Sequence, residues 1–529
     1  MRSGYKWRAA IVVALGLFMA VLDNTIVSVA LPQMATAFHT SFETITWVAT
    51  AYFLAQAAVI PVTGYLSDRI GTKAVFMSAL ALFTAGSLAC ALAQSNELLI
   101  IFRVAQGIGG GALFPIAFAI VFRAFPPEER GPASAVVGVP VLLAPAFGPT
   151  IGGYLTTTFD WSAIFTVNVP IGIVALILSA LVLHGRKAER EAQEEQAVVH
   201  GRLDVLGLVL SMSGFTALVY GITEAGVNGW TDTTVDRYLI TGGVLLLIFV
   251  VTELLVKDPV MDLRLFRNYT FAVTNVIIWA LGAFLFGSLF LLPFFFETIQ
   301  GRSPLDAGEI LISQGLAAAV GTVIAGRFYN QIGPRILASA GLLAVTIGTF
   351  GFTELSVGTH AMSLQIWLIV RGLGLGLTNT PLQTLVLSVV SNRAMARASS
   401  LVSVTRQVFS ALGVSGLTTY LTQQAQSHIG SVKADFTANY LHTATIACAA
   451  RYGQNIAAIK TCVGGQAQTY ILQHAGVMGL NDTFTVAMIG CAIGAVLALI
   501  VGRDPAVQRM KAARARGETI EPQPAMLAE

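Results

Sequence analysis

Charged side chains are what this 529-residue chain has least of: Asp, Glu, Lys and Arg make up 11% of it, against 55% hydrophobic residues. Ordinary soluble domains carry roughly 25% charged residues, so a water-soluble globule is excluded. Cysteine is sparse too, with four in all. Cys90 and Cys491 fall within apolar runs, while Cys448 and Cys462 share one long weakly charged segment, 425–476. If that segment faces an oxidising compartment the pair could form a disulfide, and two free thiols are the alternative. Catalytic motifs are also missing. Without an H-E-x-x-H, a nucleophile elbow or a P-loop, an enzyme and ATP-driven work both lack their residues. No metal or cofactor is expected.

Long apolar runs are what the chain does have. About 20 such residues cross a bilayer as a helix, because every backbone N–H and C=O must be satisfied internally where water is absent. Runs between charges and Gly/Pro breaks predict fourteen transmembrane helices, near 9–31, 46–66, 74–94, 98–120, 132–156, 163–184, 204–225, 237–257, 270–297, 304–326, 336–355, 361–387, 398–424 and 477–502. The expected fold class is therefore an all-α polytopic membrane protein with the lipid bilayer as its surroundings. Of the 31 cations, Arg237, Arg302, Lys433, Arg451 and Lys460 fall on one side, Arg103, Arg371 and Arg406 lie inside spans, and the rest gather on the other side. Cytoplasmic loops keep positive charge, which predicts cytoplasmic N and C termini and an even number of helices. The net charge of +3 thus records orientation, and no nucleic-acid partner is expected. The first apolar run follows Arg2, Lys6 and Arg8, contains Asp23 and continues to Pro32 without an A-x-A-type site, so it reads as a first span.

The chain repeats itself. Gly64 to Lys73 (GYLSDRIGTK) returns in degraded form at Gly326 to Arg335 (GRFYNQIGPR), with glycine at the first and eighth places, an acid or its amide at the fifth and a cation at the tenth. Arg103 opens RVAQGIGGG and Arg371 opens RGLGLGL at nearly the same interval. Two landmarks in one register predict two related six-helix bundles, 1–185 and 259–502, with a cytoplasmic linker 186–203, two inserted helices in 204–258, a long outer loop 425–476 and a tail 503–529. Such bundles with a site between them are the plan of many secondary transporters.

Asp23 interrupts the first span. A carboxylate there costs several kcal/mol unless it meets water, pairs, or takes up a proton, so it is the leading proton-coupling candidate; an acid that only hydrogen-bonds a neighbouring helix is the alternative. Arg103 must point inward and stays charged, either tuning a nearby acid or clamping helix ends; Arg371 and Arg406 invite the same two readings, with the structural one favoured. Gly64, Asp68, Arg69, Gly71 and Lys73 could form a cytoplasmic gate. Asp68 would accept hydrogen bonds from a neighbouring helix start and pair with a cation on closure, or the loop is only a charged turn that sets topology. Gly138, Pro140, Pro145, Gly148, Pro149, Gly152 and Gly153 predict one kinked, tightly packed helix.

These four stretches resemble, in order, the signatures of the major facilitator superfamily, in particular its fourteen-helix drug:proton antiporter branch. The resemblance implies two six-helix pseudo-symmetric bundles plus two extra helices. It assigns Asp23 and Arg103 to proton coupling, the 64–73 loop to the superfamily signature, and the stretch Gly138 to Gly153 to the antiporter motif. It also suggests a second acid in the C-half, for which Glu309 is the candidate. Asn330 and Gln331 replace the acid and base in the second loop, which puts a second latch in doubt.

A substrate path is expected to be lined by Asn24, Thr25, Trp47, Tyr52, Gln56, Trp279, Asn379 and Gln383, since aromatics hold flat apolar molecules and organic cations; Trp47 and Trp161 would serve equally as interfacial anchors. Of the remaining acids, Glu224, Glu253, Glu297, Asp306 and Glu354 sit near span ends. The expected activity is export of hydrophobic or amphipathic small molecules, cationic ones among them, driven by proton entry, from the cell membrane. A dedicated exporter of an endogenous lipid, siderophore or metabolite uses the same scaffold, and a membrane sensor is a more remote alternative. The 425–476 segment could cap the outer vestibule, bind an envelope partner, or be an unstructured insertion.

Overall fold

The computed structural model describes residues 3–183, 204–256, 259–289, 291–392, 394–452, 455–502 and 504–516. Its described residues are helical throughout, with no strand. Fourteen helices take the expected places: α1 (Ser3–Ala37), α2 (Trp47–Ile70), α3 (Thr72–Ala91), α4 (Asn96–Ala124), α5 (Arg130–Thr158), α6 (Ala163–Val182), α7 (Val205–Asn228), α8 (Thr233–Leu255), α9 (Tyr269–Ile299), α10 (Pro304–Ile332), α11 (Pro334–Phe350), α12 (Ala361–Ser388), α13 (Met395–Asp435) and α14 (Ile456–Ile500). Twelve of them are long and apolar enough to cross a membrane. The other two are α11, which is short at 17 residues, and α13, whose polar far half dilutes it. The whole 186–203 linker, and residues 517–529 of the 503–529 tail, lie outside the described residues.

Two elements differ from the sequence reading, each for a physical reason. The 425–476 segment is not a loop. α13 runs on to Asp435, a helix covers Leu441–Tyr452, and α14 begins at Ile456. At ~1.5 Å per residue, α13 and α14 are each roughly twice as long as a ~30 Å hydrocarbon layer, so a helical stalk stands clear of it. The stalk is tied by the Cys448–Cys462 disulfide, by His428 Nε2 to Asp482 at 2.8 Å, and by Tyr470 donating to Asp435 at 2.6 Å. Secondly, α9 is not one regular helix: π-helical turns occupy Leu281–Phe286 and Phe295–Ile299. Such turns displace one face of a helix, and here Gly282 and Gly287 meet α13 at Ser410 and Gly413. The two inserted helices, α7 and α8, join the body of the molecule through α7. α7 packs against both α2 and α13, with Trp47 on Tyr220 at 5.7 Å and Trp230 donating to Thr419 at 3.0 Å, and so covers the seam between the two halves.

The repeat read from sequence is a repeat of structure. Gly71 and Gly333 each have positive φ, +93° and +99°, and each donates its N–H to a carbonyl four residues back, Ser67 and Tyr329. A side chain resists that backbone region, so glycine at the eighth place is what allows α2 to fold onto α3 and α10 onto α11. The tenth place is equally matched. Lys73 Nζ donates to the carbonyls of Ala180 (2.7 Å) and Leu183 (2.6 Å) at the end of α6, and Arg335 donates to the Val501 carbonyl at the end of α14. Each cation thus satisfies orphan carbonyls at the C-terminus of the last helix of its own half.

Candidate functional site

Asp23 sits on α1 amid apolar neighbours and is 1% exposed, as is Arg103 on α4. Their ion pair closes at 2.6 Å. The second carboxylate oxygen accepts from Gln106 Nε2 (2.9 Å) and Asn168 Nδ2 (2.8 Å), and both amides also donate to the Ser87 hydroxyl, at 2.6 and 3.2 Å. Arg103 donates further to Gln106 Oε1 (2.7 Å) and to the Val48 carbonyl (3.0 Å), and its guanidinium lies 4.0 Å from the Tyr52 ring centroid. Five helices of one half, α1, α2, α3, α4 and α6, therefore converge on a single carboxylate. The glycines of the Arg103 stretch make this approach possible: a methyl group at Gly109 would meet the Ala79 carbonyl and Phe83 nitrogen of α3 at 2.6 Å. A buried charge is tolerated when it is both paired and hydrogen-bonded, and this one is.

Arg371 takes the matching place in the second half without a matching acid. It is wholly buried on α12, one of its terminal nitrogens donates to the Ser288 hydroxyl, and Nε and the other terminal nitrogen have no hydrogen-bond partner. Glu309 does not supply the acid. It is exposed, near the start of α10, where neighbouring Gly308 packs on Pro149 and Thr150.

The basic end of the molecule holds the second constellation. Asp68 accepts from Arg123 (3.2 Å) of its own half and from Arg397 (2.9 Å) in the first turn of α13, which also donates to the Pro259 carbonyl at 2.8 Å. The same-half partner is thus Arg123, in the last turn of α4, whose side chain is long enough to reach across. Arg69 lies 5.1 Å from the Tyr65 ring centroid, and Arg397 lies 5.7 Å from the same ring. Gly64 abuts Ala396 and Arg397, and Thr63 shares a 3.0 Å hydrogen bond with Ser400. The second loop also bridges the halves. Asn330 donates to the Glu128 carbonyl at 2.5 Å, Arg130 in the first turn of α5 donates to Asn392 at 3.2 Å, and Gly326 abuts Gly131 and Ala135. A neutral amide performs there the bridging that a carboxylate performs at Asp68, which corrects the doubt cast by its loss of charge.

The Gly/Pro stretch of α5 lies against two helices. Gly148 leaves no space for a side chain beside Thr25 of α1, and Gly152 faces Ile26. On the other side Gly138 faces Thr322, Pro149 meets Gly308, Ala146 meets Gly315, and Gly153 lies 3.7 Å from Leu305, all on α10. Pro140, Pro145 and Pro149 stand within the helix. This face is the close-packed junction between the halves.

The expected path residues scatter. Tyr52 is fully buried on Arg103, and Thr25 donates to the Leu22 carbonyl of its own helix. Gln56 packs on Gly110 and Gly111. Trp47 faces α7, bordering a groove of about 560 Å³ with Met212, Thr216 and Tyr238. Asn24 and Asn379 are half-buried, and Gln383 is 4% exposed with its amide nitrogen unpartnered. Trp279 stacks on Phe409 at 4.7 Å with planes 4° apart. Sequence reasoning missed Ser87, Asn168 and Arg397; Gln106 lay inside the stretch singled out at Arg103, and Arg397 was findable as the counterpart of Arg130 in the second half.

Comparison with known proteins agrees with this architecture. The sequence profile described as Major Facilitator Superfamily matches residues 13–414. The chain is 37% identical over 424 residues to the multidrug resistance protein B homolog of Mycobacterium tuberculosis (strain ATCC 25618 / H37Rv), covering 79% of this chain and 76% of that protein. It is 30% identical to the MFS-type transporter YhcA of Bacillus subtilis (strain 168), over 97% of this chain and 96% of that one. In structure it resembles the proton:xylose symporter XylE at a TM-score of 0.61 and 14% identity, covering 97% of this chain and 99% of the other, a likeness of fold.

Proposed function

From the premise that this chain belongs to the Major Facilitator Superfamily of membrane transporters, we propose that it exports hydrophobic or amphipathic compounds across the cell membrane in exchange for protons. The multidrug-resistance name of its Mycobacterium tuberculosis relative supports an efflux role. The observation that carries the coupling is the Asp23 cluster, the buried acid–arginine pair around which five helices meet.

The chemistry follows from what each residue can do. With the basic end placed at the cytoplasm, the Asp68–Arg397 and Asn330–Glu128 bridges join the halves on that side. A proton arriving from outside neutralises Asp23, and Arg103 loses the ion pair that fixes α1 against α4. Gln106, Asn168 and the Val48 carbonyl remain to hold the two groups apart until the halves rock and the proton leaves inward. A proton moving inward down the potential yields roughly 2.3 kcal/mol per 100 mV, and each unit of pH gradient about 1.4 kcal/mol more. Either is enough for tenfold accumulation or more. The α5–α10 junction would keep its close contact during rocking, since glycines there let the backbones slide without side-chain clashes.

The test is substrate movement in inverted vesicles with an imposed pH gradient. Uphill movement should stop on addition of an uncoupler and in Asp23→Asn, while downhill exchange survives. Uphill movement that continues after the gradient collapses overturns the reading.

A further inference from the structure

We propose, resting on the export reading, that the compounds carried are amphipathic aromatic anions, held at the interface of the halves by Arg406. Each of the other two arginines inside the spans is occupied or sealed. Arg103 is paired with Asp23, and Arg371 is wholly enclosed on Ser288. Arg406, on α13, is neither: it is half-buried, and the described residues give it no ion pair and no hydrogen bond. Its guanidinium lies 4.2 Å from the centroid of Phe114 on α4, the facing half. From Met395 to Arg406 the helix rises about 17 Å, near the middle of a ~30 Å hydrocarbon layer.

An unneutralised guanidinium at that depth is costly and is normally tied to function. The acids that could neutralise it are held elsewhere: Asp23 by Arg103, Asp68 by Arg123 and Arg397, Glu253 by the backbone N–H groups of Val260 and Met261, Glu224 by Asn228, and Asp482 by His428. One ring, Phe114, lies beside the Arg406 guanidinium, and another, Phe409, follows three residues on along the same helix. Phe409, on the same face of α13, stacks on Trp279, and the indole N–H of Trp279 is buried without an acceptor. A fixed cation, an orphan N–H donor and flat rings on two sides suit a ligand with an acceptor-rich negative group on an aromatic body. They disfavour the organic cations that aromatics alone would admit.

The test uses the full protein in nanodiscs and an isosteric pair of opposite charge, tetraphenylborate and tetraphenylphosphonium, with binding read by quenching of tryptophan fluorescence and corrected against empty discs. The borate should bind at least tenfold more tightly. Arg406→Gln should bring the ratio near one, and Arg406→Lys should keep most of it. Asp23→Asn should leave the preference intact, so a failure of proton coupling is distinguishable from a failure of anion recognition. In transport, one proton in and one anion out moves two charges in the same electrical sense, so anion accumulation should depend twice as steeply on an imposed potential as that of a neutral analogue. Equal or tighter binding of the phosphonium by the unmodified protein, which needs no variant to fold, overturns the proposal. So does a ratio that Arg406→Gln leaves unchanged.

Discussion

In the first half Arg103 meets Asp23, Gln106 and the Val48 carbonyl, whereas in the second Arg371, at the matching place, meets the Ser288 hydroxyl and, at 5.5 Å, the ring of Phe352. The same helix position is therefore a complete acid–base unit in one bundle and a lone cation in the other. At the basic end the halves differ the other way round. There a carboxylate, Asp68, and an amide, Asn330, each bridge to the opposite half, so the bridge outlives the loss of its charge. A hydrogen bond to a carbonyl needs only a donor, while proton exchange needs a group that titrates. That is why the bridge is kept with Asn330 in place of a carboxylate, whereas the proposed coupling role needs the carboxyl group of Asp23 itself.

The comparison can be broken most sharply at the two arginines. Asp23→Asn should abolish proton-driven accumulation, a loss of at least 100-fold in the vesicle assay, with the protein still folded because the amide keeps most of the hydrogen bonds. Arg103→Ala should cost about 3–5 kcal/mol of stability, since it strands a buried carboxylate, read as a lowered denaturation midpoint in detergent. Arg371→Met removes a buried cation that has no counter-ion; it should leave stability unchanged or improved and transport within threefold of the parent. If Arg371→Met matches Arg103→Ala in either measurement, the two halves are functionally alike and the contrast fails.

The gate gives a smaller effect. Asn330→Asp places a carboxylate against the Glu128 carbonyl and removes the donor, so it should weaken the bridge by about 1–3 kcal/mol and increase labelling of a cysteine introduced at the basic end. Asp68→Asn keeps an acceptor for only one of Arg123 and Arg397, turns an N–H toward the other and removes the charge from both pairs, so it should raise labelling at least as much. Smallest of all is the disulfide: reduction of Cys448–Cys462 should speed hydrogen exchange in Leu441–Tyr452 and leave transport rates unchanged, because the stalk stands outside the spans.

Much of the site was legible because burying charge is expensive. Asp23 and Arg103 stood out in apolar runs, and no soluble-protein explanation was available for them. Ser87 and Asn168 did not stand out, since single small polar residues are common in membrane helices and reveal a role only when they point at one carboxylate. Glu309 shows the complementary point: an acid one turn inside a predicted span looks buried, yet the helix begins at Pro304 and the position is exposed. The stalk was misread as a loop because Ala, Gln and Thr lower hydropathy without breaking a helix, and hydropathy reports the solvent rather than the backbone.

Sequence by itself determined the number of crossings, the repeat and its register, because apolar length, glycine at a positive-φ turn and the placement of cations are local requirements that each segment meets alone. Which polar groups share a carboxylate, which arginines are left unneutralised and where α7 and α8 lodge were decided only by the tertiary structure. Those are distances between helices far apart in the chain. They depend on how closely backbones approach at glycines such as Gly109 and Gly148, and no single segment encodes that.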